Sequence, residues 1–428
     1  MKLQVRNITL GVLLLSTLSL TLSCENEKSL NNNDSKFGWS SDSEPTERWK
    51  IFKDSATEIN LNGYYGETIQ LSSIIDTFSF LKLDDSDNNF IGEIDKIVFN
   101  ENYIFVMDKY ISESVQAFDR VTDEKIFVLN NHGDGPGEFK SLYDFVVNFE
   151  SQEILIFDGR RAKSLIFDFE GRFKKEKRVP FRVANVRKIS PEYYVNFAHH
   201  APNEHLGKFY YDKDLIIADT NFIPITGLFK HSPEIQKNDF YARDYFRENY
   251  RKTSYLPRYK NQLYEIEQVA DTIIFNQLAE FDIGEYQIKE EDFMQSTDRF
   301  LDGLNGTNKL FSFGSHIVTN NWISVEYQKH GKSALKVFHK RQDNITYAGS
   351  KIDFDVPNLP AFGFPISANG EECVTVIDKN LVSFFKNITQ EQKNYYINKN
   401  AWSRDFEELI NNLDDVEEPL LLFYTLKK

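Results

Sequence analysis

Cysteine is nearly absent: the 428-residue chain holds two, Cys24 and Cys373. Two thiols cannot build a disulfide scaffold or a four-thiolate metal site. Basic residues are in deficit too, 50 Lys and Arg against 65 Asp and Glu, for a formal net charge of −15. A binder of phosphate backbones needs clustered cations to displace counterions, so no nucleic-acid partner is expected. Histidine is sparse, and its one cluster is His199, His200 and His205. An exposed loop is the plainer reading of that cluster, because a metal there needs another ligand from far along the chain. There is no HExxH and no GxSxG, so zinc-protease and serine-hydrolase motifs are missing. No metal and no cofactor is expected. Aromatics, by contrast, are plentiful: 37 Phe, 21 Tyr and 4 Trp make 14% of the chain. A chain this long can bury a large core, and its composition fits no collagen-like, coiled-coil or disordered class.

One long apolar run exists, Ile8–Leu22, behind Lys2 and Arg6. A basic start and an apolar run of this length read as a secretory signal over residues 1–23, too short for a comfortable membrane span. The run ends in Thr21-Leu22-Ser23-Cys24. This resembles the lipobox of bacterial lipoproteins, although the leucine sits one place nearer the cysteine than usual. The resemblance makes Cys24 the lipidated N-terminus of the mature chain; an ordinary signal cut beside Cys24 is the alternative. Cys373 is then a lone thiol, read as a small buried hydrophobe in a strand. Losing Lys2 and Arg6 takes the net charge from −15 to −17. Glu25, Asn26 and Glu27 resemble the acidic signal that sends some lipoproteins to the outer face of the outer membrane. Residues 24–66, rich in Asn, Ser, Asp and Glu, read as a flexible tether, and 67–428 as the folded part.

From Ile94 onward, short β-branched and aromatic runs alternate with Asp, Asn and Gly. Examples are Tyr103–Met107, Ile154–Phe157, Tyr193–Phe197, Thr272–Phe275, Trp322–Tyr327 and Val374–Ile377. Only Thr389–Leu413 holds apolar residues near helical spacing. Two stretches repeat: Asp108 and Asp158 lie 50 residues apart, and the Phe-Asp pairs ending in Asp119 and Asp168 lie 49 apart. An aspartate that ends a strand can bind the backbone of the turn after it, which explains its recurrence without catalysis. Weaker copies follow in GKFYYDKDLIIAD, IIFNQLAEFDIGEYQI, SALKVFHKRQDNITY and VTVIDKNLVSFFKN. A unit of about 40–50 residues with about four strands suits a β-propeller blade, and the folded length divides into six. The isolated runs Asp76–Leu83 and Pro419–Leu426 are expected to share the last blade with Glu372–Ile377 and Leu381–Phe385, closing the ring.

Between the first two units lies His132–Phe139, HGDGPGEF. Its glycines and Pro136 suit a tight blade-to-blade crossing. A phosphate cradle is disfavoured, because no Lys-Ser or Lys-Thr follows and Glu138 repels phosphate; a cation or sugar contact through Asp134 and Glu138 is the other reading. In this position GDGPGEF resembles the hallmark of the six-bladed β-propeller lipoproteins of Gram-negative bacteria, relatives of NHL-repeat propellers. The resemblance runs from Ile69 to the final lysines and takes in ILIFD, LIFDFEGRF and EEPLLLFYTLKK. It implies an all-β fold, a six-bladed β-propeller with a short C-terminal helical insertion and closure by N- and C-terminal strands. It offers no catalytic residues. Residues 199–262, rich in Asn, Tyr and Arg, depart from it and read as an insertion.

Within that stretch, Tyr241, Tyr245, Tyr250, Tyr255 and Tyr259 interleave with Arg243, Arg247, Arg251 and Arg258. Such a mixture can form a binding rim, with Tyr241, Arg243, Tyr245 and Arg247 as its ligand-binding core. The alternative is a surface insertion whose tyrosines cover the neighbouring blades. The expected protein is a monomeric, envelope-anchored binding or interaction module for a glycan, peptide or envelope protein, touching the membrane only through its N-terminal lipid. Its ligand is expected at the mouth of the central channel. The alternatives are a lyase or hydrolase using channel carboxylates, and a structural subunit of an outer-membrane complex.

Overall fold

The middle strands of each sheet are apolar on both faces because both faces are covered. Along Tyr103–Asp108, Phe105 and Met107 join a core with Phe145, Ile154 and Ile156. The intervening Ile104 and Val106 face the other way, onto Val374, Leu421 and Phe423. Strands buried on both faces read as unbroken apolar runs, which is how Tyr103–Asp108, Glu153–Asp158 and Tyr193–Phe197 appear in the sequence.

The computed structural model describes residues 49–53, 56–83, 90–198, 203–230, 244–249, 252–257, 259–289, 292, 307–312, 314–329, 332–413 and 419–428. The signal segment, Cys24, His199, His200, Tyr241 and Arg243 lie outside them. The described chain is all-β and propeller-like, with three short helices. Four four-stranded antiparallel sheets stand alone. The first holds Lys96–Phe99, Tyr103–Asp108, Ser114–Asp119 and Lys125–Leu129. The second holds Leu142–Asn148, Glu153–Asp158, Lys163–Asp168 and Phe173–Arg178. The third runs from Asn185–Lys188 through Tyr193–Phe197 and Lys213–Asp219 to Pro224–Lys230, and another spans His316–Val318 to Ile345–Gly349.

Six separate blades do not appear: the remaining long strands form one ten-stranded sheet. One half of it contains Phe246–Asn249, Lys252–Tyr255, Gln262–Val269 and Thr272–Asp282; the other contains Ser367–Asn369, Glu372–Ile377, Leu420–Leu426 and Ile75–Lys82. A single parallel pairing, Asn249 with Ala368, joins the halves. The C-terminal strand lies between Glu372–Ile377 and the N-terminal Ile75–Lys82, antiparallel to both.

Three expectations need correction. Leu381–Phe385 is not the second strand of the closing sheet but part of the helix Lys379–Lys386. Asp378 accepts from the Asn380 N–H as an N-cap, and Val382 and Phe385 are the buried pair, at helical rather than strand spacing. Thr389–Leu413 is two helices, Gln390–Asn398 and Arg404–Asn411, started by the caps Thr389 and Ser403. All three pack through Phe385, Tyr396 and Phe406 on the outside of the closing sheet, where Phe80 meets Phe406. Within 24–66, Trp49–Phe52 and Thr57–Asn60 are strands, each parallel to Thr272–Asp282. Ile59 and Leu61, at strand spacing, supply the apolar face that holds this segment against Leu263 and Phe281. Nor are residues 199–262 an insertion where described: they complete the third sheet and begin the ten-stranded one.

The recurring aspartates do what their position suggests. Asp108 is almost fully buried and accepts from the backbone N–H groups of Gly92, Glu93, Ile111 and Ser112, tying the incoming loop to the outgoing turn. Asp158 binds Lys140, Arg160 and Arg161 in the same way. Asp108→Ala takes the acceptor from four part-buried N–H groups at once, and a loss of about 3 kcal/mol is expected. Urea unfolding checks it: the midpoint falls while the denaturant slope stays constant.

Candidate functional site

The innermost strands of the sheets face a channel of about 1410 Å³. Its wall takes Lys96–Glu101 from the first sheet, Val147–Glu150 from the second and Arg187–Pro191 from the third. Arg247, Glu248 and Lys252 follow, then Gln328, then Ser367–Asn369. At one mouth the inner strands end in the same device: Asn100, Asn148 and Ser190 each accept backbone N–H bonds from the turn that follows. These polar turns keep the mouth fixed. On one side the wall is sealed by Asn249, whose Nδ2 donates to Val318 O and Gly370 O, each at 2.8 Å.

A chain of alternating charges crosses the channel base. Lys96 Nζ donates to Asp144 Oδ1 at 2.9 Å and to Phe145 O at 2.5 Å. Arg187 Nη1 donates to Asp144 Oδ2 at 3.0 Å, and Arg187 Nη2 donates to Asp244. Arg187 Nε stands 3.4 Å from Glu248 Oε2. Backbone donors complete the carboxylates: Phe145 N and Val186 N bind Asp144, and Phe246 N binds Asp244. Lys96, Asp144 and Arg187 are buried, so their charges persist only because they are paired.

Burial sets the direction of most shifts here. Burial, then the nearby Arg187 charge, lowers the pKa of Lys96. Burial also opposes the Arg187 charge, yet Asp244, Asp144 and Glu248 outweigh it and raise its pKa. For Asp244, burial is outweighed by Arg187, Arg247 and Lys96, and the carboxyl is held low. Glu248 goes the other way, because burial exceeds the pull of Arg187 and Lys96 and its pKa rises. Burial lowers Arg247 despite Asp244.

Next to this cluster, Ser254 Oγ lies 2.9 Å from His316 Nε2, and His316 Nδ1 lies 2.9 Å from Gly314 O. With Nδ1 donating to that carbonyl, Nε2 accepts from the hydroxyl. The connectivity is that of a nucleophile and its base, but both side chains are buried and neither lines the channel. Burial, then Arg247, pushes the imidazole down to about 3. Because the folded value lies below the unfolded one of about 6.5, the neutral ring's contribution to stability is complete above the unfolded value. It is lost as the pH falls toward about 3. An NMR titration is expected to show no His316 protonation between about pH 8 and 5; a midpoint near the unfolded value contradicts the buried geometry.

The residues expected to bind ligand are dispersed. Glu138 folds back to accept from Gly135 N at 2.6 Å, and Phe139 is fully buried, so GDGPGEF forms a pinned crossing. Gly137 has φ +79, and a Cβ there would lie 3.0 Å from Phe173 Cβ, which favours glycine. Asp134 pairs with Lys140 and Arg161, away from the channel wall. Tyr245 and Tyr255 are fully buried in the core between the third sheet and the ten-stranded one, and Tyr259 is nearly buried too. Arg247 does line the channel. His205 contacts Pro180 O at 2.6 Å. Among the described residues no group of three His, Cys, Asp or Glu side chains is arranged for a metal ion. Lys96, Asp144, Arg187, Asp244 and Glu248 carry no motif. For Lys96, Asp144 and Arg187 the one signal is a charge inside a short strand with apolar neighbours, as in KIVF, LYDFVVN and NVRK; Asp244 and Glu248 lack even that.

The fold and its channel define a propeller-like all-β protein with a ligand-sized central cavity. The chain belongs to the family described as Domain of unknown function (DUF4934), whose profile matches residues 56–424. A protein of Bacteroides fragilis described as exported is similar, at 17% identity over 89% of this chain and 100% of its own, with a TM-score of 0.64. A member of the DUF4221 family from Bacteroides vulgatus matches at 12% identity over 82% of this chain and 97% of its own, TM-score 0.45. The Cps50 (Swd1) β-propeller domain of Myceliophteria thermophila matches at 12% identity over 63% and 67%, TM-score 0.33. None of the curated proteins matches the chain.

Proposed function

We propose that this protein is a six-bladed, envelope-anchored propeller lipoprotein that holds a glycan or peptide ligand in its central channel and does not turn it over. Counting the ten-stranded sheet as two blades fused at Asn249 and Ala368 gives six. The apolar cores favour that count, because each joins one sheet to the next in sequence and the last joins the closing sheet to the first. The signal segment, Cys24 and the likeness to an exported protein favour the address; the lipid on Cys24 is the only membrane contact in this reading, and the protein acts as a monomer.

The observation that carries the binding role is the channel itself, about 1410 Å³ with a fixed polar mouth, large enough for a small ligand. Glycan and peptide arrays probed with the purified full chain test it. Hits that vanish in Ser315→Trp, which fills the channel, support the role. Hits that persist in that variant place binding elsewhere. Divergent carboxylates favour a second reading, a hydrolase or lyase: Glu248 is pushed up and Asp244 held down on one wall, the pattern of an acid and base pair. Product release from a polysaccharide mixture, abolished by Glu248→Gln, would establish it and end the pure binding reading.

A further inference from the structure

We propose that Arg247 is the anchor for a ligand carboxylate, and that the channel takes an acidic sugar. This rests on the channel being the binding site and goes further by naming the group recognised.

The channel cations divide into two kinds. Lys96 is paired with Asp144, Arg187 with Asp144, Asp244 and Glu248, and Lys252 with Glu265. Arg247 is different. Its Nη1 donates to two carbonyls, Asp244 O at 3.0 Å and Phe246 O at 2.7 Å, which fixes the plane of the guanidinium. Its Nε is shielded from water with no acceptor, and no described residue accepts from Nη2. With Nη1 engaged and Nε covered, Nη2 is the nitrogen left to meet a carboxylate oxygen from the channel. Lys188, also on the channel wall, has no carboxylate partner among the described residues either.

Charge selects the kind of anion. At the channel base Lys96, Arg187 and Arg247 face Asp144, Asp244 and Glu248, and the rest of the wall adds Lys188 and Lys252 against Asp95, Glu101, Glu150, Glu267 and Glu326, which leaves it acidic. A carboxylate adds one negative charge to this acidic wall, whereas a phosphate adds close to two. The raised pKa of Glu248, which faces Arg187, Lys96, Asp144 and Asp244, lets a proton taken up there offset the single charge. The rest of the wall favours a sugar over a peptide. Asn100 and Asn148 keep their Nδ2 groups after their oxygens have bound the turns, and Gln328 adds a further amide, partners for sugar hydroxyls.

Calorimetric titration of the full chain with a panel of uronic-acid oligosaccharides tests this, each paired with its carboxyl-reduced counterpart. Short peptides with free and amidated carboxyl termini form the second arm. At least one uronate is expected to bind about tenfold or more tighter than its neutral counterpart. Arg247→Met is expected to weaken that uronate about 30-fold. Glu248→Gln, which removes a competing anion and keeps the shape, is expected to tighten it and guards against a misfolded Arg247 variant. Equal binding of the reduced sugar, indifference to both variants, or no uronate binding at all overturns the carboxylate anchor. Preference for free-carboxyl peptides over every uronate overturns the sugar. The channel reading stands or falls separately, on whether array hits survive Ser315→Trp.

Discussion

Arg187→Met is expected to lower the free energy of unfolding by about 3–5 kcal/mol, among the largest single-residue losses in the protein. The guanidinium touches Asp144, Asp244 and Glu248, which come from two different inner strands, and Arg187 itself comes from a third. Removing it leaves those carboxylates facing one another at the channel base with Lys96, Lys109 and Arg247 left to balance them. Asp144 also relies on Phe145 N and Val186 N, so it cannot turn to solvent without giving up backbone bonds. Urea unfolding near neutral pH is the measurement. Arg187→Lys is expected to recover part of the loss, since it restores the charge but not the fork. Replacing Lys96, Asp144, Asp244 and Glu248 by apolar residues together with Arg187→Met should recover more, because an apolar replacement of a whole buried network is often neutral. A loss below about 1 kcal/mol would mean that channel water solvates the carboxylates well enough to make the pairing dispensable.

Deleting Leu420–Lys428 is expected to abolish cooperative folding. The strand lost is central to its sheet, bonded on one side from Glu372 to Ile377 and on the other from Ile75 to Lys82. Leu420, Leu422 and Tyr424 face one apolar core, and Leu421 and Phe423 face the other. Replacing a single buried aromatic such as Phe423 by Ala costs about 3–5 kcal/mol. Losing the whole strand therefore exceeds the 5–15 kcal/mol that typically separates a folded domain from its unfolded chain. The cut also removes Lys427 O, the acceptor for Trp322 Nε1 at 2.7 Å. Near-UV circular dichroism and tryptophan emission report both effects. A truncated chain that keeps a single sharp unfolding transition would show that the ring does not need its closing strand.

Some of this architecture can be read from the residues because its causes are local. Asp108 and Asp158 sit where a strand gives way to a turn, and binding a turn is local chemistry that recurs with the unit. The terminal apolar runs Ile75–Lys82 and Leu420–Leu426 have no sequence neighbour to pair with, so they pair with each other. Other features have causes that are not local. Leu381–Phe385 looks like a strand until Asp378 is recognised as the cap that starts a helix. Trp49–Phe52 lies in a polar, tether-like stretch and is ordered by an edge supplied from residues 273–276. The tyrosines of the 239–259 stretch resemble a rim, yet Tyr245, just before the strand Phe246–Asn249, and Tyr255, at the end of Lys252–Tyr255, are both buried in the core. The channel charges are the extreme case: Lys96, Asp144, Arg187 and Asp244 meet only when four inner strands converge.

The two parallel strands at the start of the described chain have a mechanical consequence. If the polypeptide is held to a membrane at its beginning, any tug arrives first at Trp49–Phe52 and Thr57–Asn60, not at the strand that closes the ring. These segments lie lengthwise on Thr272–Asp282, so a pull along them is shared among several backbone bonds at once. They act as a strain relief on a cable: they can peel away and extend the tether while Ile75–Lys82 stays seated and the channel keeps its shape.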